Sequence, residues 1–102
     1  MIMETIDFFK EQLSKFVESH KNVKINYEYD ELASLHTIEV LPQSVFDSDE
    51  FVMWEYDFFK NAYDVIPGED ISFISEDAYV GLDHVNWSKQ GDNFGLDEKI
   101  QI

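Results

Sequence analysis

Val23-Lys24-Ile25-Asn26-Tyr27-Glu28-Tyr29 alternates apolar and polar residues at every step. Side chains of a strand point to opposite faces in turn, so this run reads as a strand with one covered face and one wet face. Asp30-Glu31-Leu32-Ala33 follows as a turn. A second strand is expected over 34–41, with Ile38 and Val40 on one face and Thr37 and Glu39 on the other. Pro42 lacks a backbone N–H to donate and stops it. The two runs predict an antiparallel hairpin, and His36 shares parity with Ile38 and Val40.

Helices flank the hairpin. In residues 2–20, Ile2, Ile6, Phe9, Leu13, Phe16 and Val17 recur at three- and four-residue steps, opposite Glu4, Asp7, Glu11, Lys15 and Glu18. His20-Lys21-Asn22 suits a helix C-terminus, where cations meet the negative end of the dipole. Residues 47–65 carry the strongest start signal. Asp47 is expected as N-cap with Glu50 three residues on, and Phe46 and Phe51 fit a hydrophobic staple. Pro67-Gly68 ends the helix. Short strands are expected at 71–75 and 78–82, around a Glu76-Asp77 turn. Residues 90–102 read as a loop followed by a last strand or a loose tail. The order α-β-β-α-β-β predicts a single α+β domain over 1–102. Its antiparallel sheet would have four to five strands, with both helices packed on one face.

Net charge is −15, and it is unevenly spread. Residues 25–88 hold fifteen acids and one lysine, Lys60. There is no arginine. Nucleic acid and anionic membrane are disfavoured as partners, by sign and by the lack of a guanidinium fork for phosphate. With no cysteine, disulfides and thiolate chemistry are excluded. The start of the chain has no basic stretch leading into an apolar run, so a soluble, cytoplasmic protein is expected.

Catalytic signatures are missing. No serine sits in a G-x-S-x-G elbow or an S-x-x-K pair, no glycine loop carries a phosphate-binding lysine, and the histidines lie scattered at 20, 36 and 84. The acids Asp47, Asp49, Glu50 and Glu69, Asp70 do not fit a calcium loop, which needs glycine at its sixth position. No metal or cofactor is expected.

Helix 47–65 carries two residues out of pattern. At 3.6 residues per turn, Phe51, Val52, Tyr56, Phe58, Phe59, Ala62 and Tyr63 share one arc. Glu55 falls inside that arc, as a carboxylate at the helix–sheet edge or a pocket acid. Trp54 falls on the polar side with Glu50, Asp57, Asn61 and, nearby, Asp64. Phe8 is similarly misplaced among Thr5, Gln12, Lys15 and Ser19 on the first helix. An aromatic ring rimmed by acids has the composition of an interface anchor. Trp54, Glu50, Asp57, Asp64 and Phe8 are therefore the candidate partner contacts. The expected function is a small acidic interaction protein without enzymatic activity, binding a basic protein partner as inhibitors, immunity proteins, antitoxins or chaperones do. A homodimer is the other partner considered. The alternative is a small-ligand binder or enzyme using Glu55 and His36. For His36 itself, a hydrogen-bonded place at the core edge is preferred to a role as ligand or base.

Overall fold

The computed structural model describes residues 2–76 and 81–95. Helix α1 (Ile2–Ser19) leads into the antiparallel pair β1 (Lys24–Asp30) and β2 (Leu35–Leu41). A one-turn helix α2 (Gln43–Phe46) and the long helix α3 (Asp49–Val65) follow. Then come β3 (Asp70–Ile74) and β4 (Trp87–Gln90). The sheet order is β3-β2-β1-β4.

The hairpin forms as its alternation requires. Ile25 pairs with Val40 and Tyr27 with Ile38, and all four are buried on one face. Asp30 holds the turn: its Oδ1 accepts from the backbone N–H of Leu32 at 3.0 Å and of Ala33 at 3.2 Å. Ser34 completes the turn in the left-handed region, at φ 54°.

The class is α+β, with α1 and α3 packed on the same face. Phe9 of α1 lies against Tyr27, with ring centroids 5.0 Å apart. Phe58 of α3 lies against Phe73 of β3 at 5.5 Å, and Phe9 and Phe58 meet at 5.8 Å. The sheet is mixed, however, where a purely antiparallel one was expected. β3 runs parallel to β2, with His36 opposite Ile71 and Ile38 opposite Phe73. The cause is α3 itself. A helix between two strands carries the chain back along the sheet, so the second strand re-enters in the direction of the first.

The fourth strand also differs. β4 comes from Trp87–Gln90 and pairs antiparallel with β1. Residues 78–80 of the strand expected at 78–82 lie outside the described residues, and Gly81 and Leu82 carry no regular structure. The expected tail strand, 99–102, also lies outside them. Gly91 lets β4 close onto the start of β1. Its N–H donates to Val23 O at 2.8 Å, and a Cβ there would sit 2.2 Å from the Lys21 carbonyl oxygen.

The cap of α3 is Ser48 rather than Asp47. Ser48 Oγ accepts from Phe51 N at 3.1 Å, while Asp47 accepts from Gln43 Nε2. The short helix α2, which the sequence reading missed, shifts the start by one residue. The Phe46–Phe51 contact survives the shift, at 5.5 Å. No described helix is long and apolar enough to cross a membrane.

Candidate functional site

The residues singled out from sequence do not assemble into one site. Phe8 is buried, 8% exposed, with its ring 5.6 Å from that of Phe58. Trp54 is half-buried. Its ring lies 5.0 Å from Phe16, 5.2 Å from Phe58 and 5.9 Å from Phe51. Both rings fill the seam between α1 and α3. Two helices lying side by side on one sheet bury each other's flanks as well as their sheet-facing sides. Neither ring is therefore the exposed anchor that a single-face reading made of it. Glu50, Asp57 and Asp64 are exposed on α3, but the aromatic ring they were to surround is turned into the protein. Phe59, expected in the core, is 39% exposed.

His36 sits at 2% exposure between two oxygens. Its Nε2 is 2.6 Å from Glu69 Oε1 and its Nδ1 is 2.7 Å from Tyr27 Oη. An ionised carboxylate only accepts, which assigns the ring proton to Nε2. Tyr27 O–H then donates to Nδ1. Burial, reinforced by the nearby Glu69 carboxylate, pushes the Tyr27 phenol well above its usual range and holds that proton in place. A carboxylate, an imidazole and a phenol in line have the makings of a proton relay. Yet Tyr27 is 1% exposed beneath Phe9, and the rings of Phe9 and Tyr29 lie tilted against the imidazole, each 4.6 Å away. A substrate cannot reach the phenol, so the line serves as a satisfied polar strut in an aromatic core. Glu55, the other expected pocket residue, is partly buried on α3 and is not among the partners of His36. Burial raises its carboxyl above the ordinary carboxylate value. Among the described residues it bonds to no tyrosine.

An open cleft of about 530 Å³ lies at the β1–β2 turn. Glu28, Asp30, Glu31 and Asp83 bring four carboxylates to its walls, with His84 beside them and Tyr29 and Leu32 as apolar surface. Leu32, at the tip of the turn, is fully exposed. Backbone and side chains fix the far wall. Asn86 N donates to Tyr27 O at 2.8 Å, Asn86 Oδ1 accepts from Tyr29 N at 2.8 Å, and His84 N donates to Glu28 Oε1 at 2.6 Å. Glu28 and Asp30 are thus committed to holding the loops. Glu31 and Asp83 are exposed and are not so engaged among the described residues. The sequence reading placed Asp30–Ala33 in a turn and His84 after Asp83. It missed their meeting, because a contact across more than fifty residues follows only from the β1–β4 pairing.

Comparison with protein-family models, with curated proteins and with solved structures returned no match.

Proposed function

We propose that this chain is a non-enzymatic interaction protein that receives a basic segment of a protein partner in the acidic cleft at the β1–β2 turn. The observation that carries the reading is the composition of that cleft: four carboxylates around Tyr29 and an exposed Leu32. Carboxylates lining a concavity attract a cationic partner and speed its encounter, while the apolar surface can hold the alkyl stem of a lysine or arginine. A net charge of −15 strengthens that attraction at long range. The inaccessible phenol of Tyr27 weighs against the alternative of an enzyme built on His36.

The test uses affinity capture from the native host with the parent chain and with Glu31→Lys/Asp83→Lys. Both sites are exposed and hold no described loop contact, so the fold is expected to stand. The reading expects a basic protein that the parent chain captures, that elutes as salt is raised, and that the variant fails to hold. Equal capture by both chains, or capture indifferent to salt, contradicts it.

A further inference from the structure

Helix α3 buries Phe51, Phe58 and Ala62 and turns Trp54 toward Phe16 of α1. Its opposite flank carries Val52, Tyr56, Phe59 and Tyr63, exposed at 54%, 68%, 39% and 78%. Their spacing is four, three, four residues, the step of a helix–helix seam. This flank points away from α1, on the side of β3, where Phe59 meets Phe73 at 5.6 Å. β3 is an edge strand, and among the described residues nothing pairs with its outer side. Among the described residues, the apolar helix flank and the unpaired outer side of β3 thus make one continuous surface, separate from the acidic cleft.

We infer that this surface is the contact between two copies of the chain, with the α3 helices antiparallel and the two β3 edges brought together. Three observations select a second copy. First, the seam is palindromic. An antiparallel copy sets Val52 against Tyr63 and Tyr56 against Phe59, and then repeats both pairs, as a twofold interface requires. Second, the charges suit self-contact and not a basic partner. The exposed acids Glu50, Asp57 and Asp64 lie on the far side of α3, and the seam is flanked by Lys60, the one lysine of residues 25–88. Lys60, which lies over Tyr56 at 5.7 Å, comes level with Glu55 of the copy in the same register. Third, the spacings agree. Strands pair about 4.8 Å apart and helices pack about 8–10 Å apart, so helices seated over the β3 side of each sheet meet when the β3 edges meet.

Two chains of −15 repel, and salt screens that repulsion. Self-association is therefore strengthened by salt, opposite to cleft binding. The experiment is sedimentation equilibrium of the full chain across micromolar concentrations, with two sets of variants. The parent chain is expected at twice its 12.0 kDa, more so at higher salt, and Tyr56→Lys/Tyr63→Lys at the monomer mass with an unchanged circular dichroism spectrum. The chain has no cysteine, so engineered thiols report cleanly. Val52→Cys/Tyr63→Cys is expected to give an interchain disulfide on oxidation, and Val52→Cys alone none. A monomeric parent chain, a dimer that survives the lysine substitutions, or cross-linking by Val52→Cys alone overturns the inference. Failure of cleft binding would leave these readouts untouched, and the reverse holds too.

Discussion

Phe58 touches the rings of Phe8, Phe9, Trp54, Phe59 and Phe73 at centroid distances of 5.2–5.8 Å and is 1% exposed. Truncating it removes buried area and leaves a cavity that rigid aromatic neighbours fill poorly. Phe58→Ala is expected to cost about 3–5 kcal/mol in chemical denaturation. Met53→Ala, at a site 71% exposed, is expected to stay within about 0.5 kcal/mol. Equal costs would contradict the packing. Tyr27→Phe removes only the hydroxyl that donates to His36 Nδ1. It leaves a buried acceptor without its donor, and about 1–3 kcal/mol of stability is expected to be lost. A neutral result would mean that the phenol does not hold the imidazole. The sequence showed that His36 faces the core. It did not show Glu69 as its partner, because that meeting depends on the parallel pairing of β2 with β3.

At the scale of elements, the helices teach the most about what a sequence reveals. Period and capping placed α1 and α3 closely, and alternation placed β1 and β2. Facing was read less well. The apolar arc of α3 is wider than the part that the fold buries, and it is buried off-centre. Trp54 is drawn in by α1, while Val52, Tyr56 and Tyr63 are left out. A helix wheel records which residues are apolar, and a neighbouring helix decides which of them are covered. The cap makes a clean test. Ser48→Ala is expected to cost about 1 kcal/mol, through the lost bond to Phe51 N. Asp47→Ala is expected to cost less, since among the described residues the Asp47 carboxylate bonds only Gln43 Nε2, at 3.2 Å, and caps no helix N–H. The reverse order would restore Asp47 as cap. Glu55 gives a pH dependence. Burial raises its carboxyl, so the folded chain holds that proton more tightly than the unfolded chain does. Its contribution is most favourable below the ordinary value of 4.5 and declines as pH rises through the raised value. Glu55→Gln should therefore gain stability relative to the parent as pH is raised from 4 to 7. A difference that does not change with pH would contradict this.

At the scale of the molecule, the acidic cleft and the apolar flank of α3 are separate surfaces among the described residues. Glu28, Asp30, Glu31 and Asp83 gather at one cleft, while an exposed apolar flank runs along α3 on the side of β3. Composition suggested a basic partner and the helix wheel pointed to Trp54, whose ring is half-buried against Phe16 of α1. The cleft is assembled from segments that meet only through the fold. Each surface has its own salt signature, and the cleft is the more direct object of measurement. The decisive experiment is a titration of the isotope-labelled chain with a short lysine-rich peptide, followed by amide chemical shifts at low and physiological salt. The account predicts shifts concentrated at 28–32 and 83–86, weakening as salt is added and lost in Glu31→Lys/Asp83→Lys. Shifts spread evenly over the acidic surface, or centred on Glu50, Asp57 and Asp64 of α3, would contradict it.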